Sequence, residues 1–207
     1  MGLLWDQEMP QIMRKLFKEW CRETEKVNSV TIPRFYHFTD LCVIDIQLHS
    51  FSDASKKAYG TVVYFLVVRP DGTITTSFVT SKSRVAPLKT LSLPRLELMG
   101  ALLSARLCDK VSKTLKFGKS CFFHTDSSIV YHWIQGEPAR FKPFVKNSVE
   151  EILRLTEPLK WNHCPGRENP ADILRRGISV KELNFGGMDH PGLDKTNSFG
   201  LKLKSRM

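Results

Sequence analysis

At 207 residues the chain is long enough for one good-sized domain with an appendage, or for two small ones, and 42% hydrophobic content supports a real core. A formal net charge of +10 says nothing about fold, but it points toward a polyanionic partner. Five scattered cysteines (Cys21, Cys42, Cys108, Cys121, Cys164), odd in number and without a Cys-x-x-Cys pair, argue against a disulfide framework or a zinc knuckle.

No apolar run approaches the roughly 20 residues of a membrane span, and the first residues do not read as a signal peptide. The expectation is a protein without a membrane partner, in a reducing intracellular compartment, cytoplasmic or nuclear. Met1 is compatible with a true start or with a cut into a longer polyprotein.

Residues 1–41 read as an appendage. Asp6 is a candidate cap for a helix whose stripe is Ile12, Met13, Leu16, Phe17 and Trp20, a face expected to pack on the main body. Val30 to Ile32 reads as an extended piece ended by Pro33, with Asp40 in a linker. From residue 42 the period becomes that of strands. Val43 to Phe51 is the first candidate, and Ala58 to Val68 the second. Pro70-Asp71-Gly72 signals a turn, and Thr73 to Thr80 the third strand. Ser81 to Leu91 reads as a basic loop carrying Lys82, Arg84 and Lys89.

The longest helix signal, Leu93 to Leu115, places Leu96, Met99, Gly100, Leu103, Leu107 and Val111 on one face, with Pro94 in the first turn. Ser120 to Thr125 is the fourth strand, followed by a short helix holding Ile129, Val130, Trp133 and Ile134. Phe144 to Leu155 reads as a helix, Trp161 to Cys164 as the fifth strand, and Ala171 to Arg176 as a last short helix. Residues 181–207 read as a weakly ordered tail. The order predicts an α/β fold: a five-stranded mixed sheet flanked by helices, strands one to three antiparallel and strands four and five parallel to strand one.

Four acids fall at junctions of these elements. Asp126 ends the fourth strand, Asp53 closes the first, Glu97 lies near the start of the long helix, and Asp172 opens the last one. Strand ends are where open α/β sheets present their chemistry. A helix dipole alone accounts for Glu97, and capping alone for Asp126. Taken together, the acids suggest a carboxylate cluster that needs a divalent cation.

Several motifs then become recognisable: Ser52-Asp53-Ala54-Ser55 with Ala58-Tyr59-Gly60, Lys82 through Lys89, Leu93-Pro94-Arg95-Leu96-Glu97-Leu98, Thr125-Asp126-Ser127, Phe144-Val145-Lys146-Asn147 and Glu168-Asn169-Pro170-Ala171-Asp172. In this order they resemble the ribonuclease H region of BEL/Pao-type retrotransposon Pol polyproteins, across about residues 46–180. Gly2 to Asp6 with Ile32-Pro33-Arg34 resembles the connection segment preceding that region, so the resemblance divides the chain into a connection-like appendage (1–41) and a ribonuclease H-like domain (42–180).

The resemblance implies endonucleolytic cleavage of the RNA strand of RNA–DNA hybrids during reverse transcription, beside the reverse transcriptase and integrase parts of Pol. It implies Asp53, Glu97, Asp126 and Asp172 as catalytic, metal-binding acids for Mg²⁺, with Mn²⁺ as substitute. Two ions about 4 Å apart would activate water and stabilise the leaving oxygen. Lys82, Arg84, Lys89, Arg140, Lys142 and Lys146 would contact phosphates.

The chain departs from the family in three places. No histidine lies between Pro165 and Asp172, where many ribonucleases H carry a mobile one; His163 precedes that loop. The segment after Asp172 is more basic than usual, and the tryptophan-rich continuation beyond about Lys181 is missing. A non-catalytic nucleic-acid-binding remnant of Pol is the alternative. An aspartic peptidase is a third, although Asp53-Ala54-Ser55 and Asp126-Ser127-Ser128 both lack the glycine of that enzyme's turn.

Overall fold

The computed structural model describes residues 6–29, 43–89, 91–118 and 121–173. The chain divides into two compact units, one holding the first helix and the other the sheet with its helices. In the first unit, α1 (Gln11–Glu25) starts directly after Pro10, so Asp6 does not cap it. None of its residues is buried within this unit. The extended piece at Val30 to Ile32, the linker at Asp40, the end of the last short helix and the tail lie outside the described residues.

In the second unit, β1 (Asp45–Ala54), β2 (Ala58–Val68) and β3 (Ile74–Val85) form an antiparallel meander. The turn between β2 and β3 is built as its residues dictate. Gly72 takes a positive φ of 80°, and Asp71 Oδ1 accepts from the Thr73 N–H and hydroxyl. β4 (Cys121–Thr125) and β5 (Trp161–His163) add in parallel, giving the order β3-β2-β1-β4-β5. The expected mixed sheet is present.

Two of the boundaries that differ from expectation bear on the site. β1 runs on to Ala54, so Asp53 lies within the last two residues of the strand rather than beyond it. β3 continues through Val85, because pairing with β2 extends to Ala58 opposite Val85. Lys82 and Arg84 are therefore on a strand, not in a loop. Lys89 alone of the three lies in the connection that follows.

The strand period of two sorts the side chains onto two faces. On one face, Leu48, Val63, Phe65 and Phe123 pack against Leu98, Ala101 and Ala105 of α2 (Leu93–Thr114). Val130 and Ile134 of α3 (Ser128–Gln135) and Val145, Val149 and Ile152 of α4 (Pro143–Leu155) complete this core. Ser50 is polar on the same face and is satisfied there by Thr61 and Ser104 hydroxyls. Arg106 of α2 grips Glu151 of α4 through two hydrogen bonds, at 2.6 and 2.8 Å. Exposed as it is, that pair contributes about 1 kcal/mol at most.

The opposite face carries Phe51, Val62, Cys164 and Ala171, and a polar chain along β1 and β4. Gln47 Nε2 donates to Asp45 Oδ2, and Gln47 Oε1 lies 3.0 Å from His49 Nε2. His49 Nδ1 in turn lies 3.0 Å from His124 Nε2. The amide orientation fixes the tautomers: His49 carries its proton on Nε2 and accepts at Nδ1 from His124. Burial lowers the His49 pKa from 6.5 to about 4, against the Asp45 carboxylate, which pulls it up. Burial, and then His49, lower His124 well below the usual range.

Candidate functional site

The register of the parallel strands positions the first two acids. Ser52 pairs with Thr125, so Asp53 and Asp126 occupy the next positions at the carboxyl ends of adjacent strands. Neighbouring strands lie about 4.8 Å apart, which brings these two backbones close. Thr125 also pairs with His163, and the Cys164 N–H donates to Thr125 O at 2.9 Å. Asp53, Asp126 and Cys164 therefore form one row across three strand ends. The thiol reports their proximity: burial first, then the charges of Asp126, Glu168 and Asp53, push Cys164 up to about 12. Asp53 is buried, and its Oδ1 accepts from the Ala54 N–H at 2.6 Å.

Glu97 arrives from α2 because the helix can approach β1 closely. A Cβ on Gly100 would stand 3.2 Å from Asp53 O and 3.7 Å from Gly60 O, so glycine permits this contact. Glu97, one turn earlier, lies on the same side of the helix. Its Oε2 accepts from Ser127 Oγ at 2.5 Å. Ser127 Oγ also accepts from the Val130 N–H at 3.3 Å and so caps α3. The cap is Ser127, not Asp126, which removes the purely structural account of Asp126 as a helix cap.

The last acid is tied in by Asn169. This side chain, 1% exposed, donates through Nδ2 to Ser52 O at 2.9 Å, next to Asp53. Its Oδ1 accepts from the Ala171 N–H, and its carbonyl accepts from the Asp172 N–H at 3.0 Å. Gly166 of the same loop faces Asp126, since a Cβ there would lie 3.4 Å from Asp126 Oδ2. His163 Nε2 donates to Asp126 O at 3.1 Å and is exposed at the rim.

One end of the sheet thus gathers Asp53 and Asp126 by register, Glu97 through Ser127, and Asp172 through Asn169. Among the described residues, no three His, Cys, Asp or Glu side chains stand close enough together to chelate one ion. The four side chains are carboxylates, and hard oxygen ligands are the kind that Mg²⁺ and Mn²⁺ prefer in general. The adjacent Cys164 is held protonated first by its burial and then by the neighbouring acids, and does not compete as a thiolate.

The basic residues fall into two sets. Lys82 and Arg84 project from the exposed end of β3, with Lys89 exposed beyond it. Arg140 and Lys142 are exposed before α4. Lys146 is half-buried and shares its charge with Glu150 at 3.8 Å. Arg95 of α2, which sequence reasoning did not single out, stacks 5.4 Å over the Phe144 ring at the start of α4. Ser127 and Asn169 were also missed as site residues. Their signals were a serine between a strand-end acid and an apolar helix, and an Asn-Pro-Ala-Asp turn.

A family model described as "Pao retrotransposon-like RNaseH-like domain" matches residues 1–127, a span holding Asp53, Glu97 and Asp126 but not Asp172. No curated protein matches the chain. Solved structures with some likeness include the N-terminal RNase H domain of Rv2228c from Mycobacterium tuberculosis, at 15% identity, covering 64% of this chain and 92% of that one, with a TM-score of 0.45. RNase H1 from the archaeon Halobacterium salinarum gives 15% identity, 63% and 94% coverage, and a TM-score of 0.40. LC11-RNase H1, isolated from compost and solved in complex with RNA/DNA hybrid, gives 14% identity, 67% and 99% coverage, and a TM-score of 0.43.

Proposed function

This chain belongs to the Pao retrotransposon-like RNaseH-like domain family, and we propose that it cleaves the RNA strand of RNA–DNA hybrids with the help of divalent metal ions. The observation that carries the reading is the register match that sets Asp53 and Asp126 side by side at the ends of β1 and β4. Asp53, Glu97, Asp126 and Asp172 would hold Mg²⁺, or Mn²⁺ in its place, which when bound supplies charge neutralisation and a more acidic water.

The chain's own residues do the positioning. Ser127 orients the Glu97 carboxylate while holding the first turn of α3. Asn169 fixes the loop that carries Asp172 against the Ser52 carbonyl. His163 anchors the Asp126 backbone. Lys82, Arg84 and Lys89 on one side, and Arg140, Lys142 and Lys146 on the other, would meet phosphates. The 2′-hydroxyls would distinguish the RNA strand. In this reading the chain works beside the reverse transcriptase and integrase parts of a Pol polyprotein, in a reducing intracellular compartment.

A second reading is a nucleic-acid-binding piece without cleavage. It is favoured by the lack, among the described residues, of three acids grouped around one point. The two separate in one experiment: the chain is incubated with labelled RNA–DNA hybrid, double-stranded DNA and single-stranded RNA, with Mg²⁺, Mn²⁺ or chelator. Metal-dependent cleavage restricted to the RNA strand of the hybrid is the expected result. Hybrid that is bound but uncut under every metal condition establishes the second reading.

A further inference from the structure

Shortly after Asp53 the chain carries Lys56 and Lys57, both exposed, in the turn that joins β1 to β2. Ser55 pins this turn. Its N–H donates to Ala58 O at 2.7 Å, and its Oγ accepts from the Lys57 and Ala58 N–H groups at 3.2 Å each. The backbone of the turn is held, while the two ammonium groups remain in solvent.

The turn is also tied to the basic end of β3. The Ala86 N–H donates to Lys57 O at 2.8 Å, and Arg84 and Val85 pair with Tyr59 and Ala58 at the start of β2. Ser83 faces Gly60, which faces Asp53, so β3 passes two strand spacings, about 10 Å, from that acid. Lys56, Lys57, Lys82, Arg84 and Lys89 therefore form one ridge along the acid-bearing end of the sheet.

The ridge carries no compensating charge. Between Asp53 and Glu97 the sequence holds a single acid, Asp71, and it lies in the β2–β3 turn at the far end of the sheet. The ion pairs among the described residues engage Arg14, Arg106, Lys113 and Lys146, and none of the five ridge residues. Like charges lined up in this way repel one another, and a row of phosphates relieves the repulsion while releasing counterions.

We propose that Lys56 and Lys57 are phosphate-positioning residues, which hold the nucleic-acid backbone over Asp53 and carry the contact surface of β3 up to the acids. The inference rests on the reading of this domain as one that takes RNA–DNA hybrid. Lys56 follows Asp53 by three residues, a span of at most about 10 Å, so its ammonium reaches phosphates a few nucleotides from the one at that acid. Lysine acts on them as a point charge, so the contact is independent of base sequence.

The test titrates the full chain with labelled RNA–DNA hybrid in chelator over a range of salt. Lys56→Gln/Lys57→Gln is compared with the unsubstituted protein and with Lys110→Gln, an exposed lysine in the late turns of α2. The double variant should lower the log–log salt slope by about 2, and Lys56→Arg/Lys57→Arg and Lys110→Gln should leave it unchanged. With Mg²⁺, the double Gln variant should raise KM about tenfold at constant kcat. In the unsubstituted chain, saturating hybrid should protect Lys56 and Lys57 from acetylation, read by mass spectrometry, but not Lys110. An unchanged slope in the double variant, an equal fall in Lys110→Gln, or no protection of either lysine overturns the proposal. The acetylation pattern decides the matter even if a variant misfolds. Because binding is read without metal, protection in a chain that never cuts hybrid upholds the ridge and refutes cleavage, and cleavage with an unchanged slope does the reverse.

Discussion

Acidifying the protein from about pH 7.5 to 4.5 should weaken the sheet domain through the histidine pair on its second face. His49 is neutral in the fold, with its Nδ1 lone pair occupied by the His124 N–H. Protonating it would set two N–H groups against each other in a buried site. Its pKa falls from 6.5 to about 4, so the unfolded chain binds the proton first. The stabilisation is complete above the unfolded value and is lost as pH falls from 6.5 toward 4. At about 1.4 kcal/mol per pKa unit, His49 alone is worth about 3 kcal/mol, with most of it gone by pH 4.5. His124 moves in the same direction. Glu151, whose carboxylate the Arg106 guanidinium holds below its usual 4.5, loses its contribution only below this window.

The assay is urea unfolding followed by tryptophan fluorescence at several pH values, for the native sequence and for His49→Gln/His124→Gln. The native protein should lose about 2 to 3 kcal/mol between pH 6.5 and 4.5. The double variant should be less stable at neutral pH but nearly flat across that range. A flat native curve, or the same slope in both proteins, would falsify the assignment of buried neutral histidines.

Asp126→Asn should abolish metal-dependent cleavage and leave the thermal midpoint unchanged or slightly raised. It removes a like charge near Asp53 and spares the α3 cap; retained cleavage in the variant refutes the metal assignment. Ser127→Ala should cost about 1 kcal/mol through the lost cap and also reduce cleavage by releasing Glu97, whereas Ser127→Thr should preserve both. Thermal unfolding and hybrid cleavage on the same samples check this pair. Hybrid affinity should fall steeply with salt, and removal of Lys82 or Arg84 should lower the log–log slope by about 1 each. A salt titration of binding reads that directly.

Much of the architecture was legible because it rests on local rules. The apolar-polar run of β1, the Val-, Tyr- and Phe-rich run of β2, the Pro70-Asp71-Gly72 turn and the apolar face of α2 each show in the order of residues. The acids were legible as strand-end and helix-start residues. What could not be read was set by tertiary contacts. β3 continues through Lys82 and Arg84 because β2 offers partners there, overriding a composition that looks like a loop. The parallel pairing of β4 with β1 was expected, but the histidine chain requires the register as well, with His49 beside Phe122. Ser127 and Asn169 act through partners 30 and 117 residues away, separations that no local pattern reveals.

That last separation also dictates when the acid-bearing end of the sheet can be assembled in time. Ser52 leaves the ribosome 117 residues ahead of the asparagine that clasps its carbonyl. At about 5–20 residues per second, the growing chain spends roughly 6 to 23 seconds with Asp53 already made but without the loop that carries Asp172. The meander and α2 can pack during that interval, since their contacts are nearer neighbours in sequence. The acid-bearing end of the sheet is thus completed last, after the meander and α2 have had time to pack.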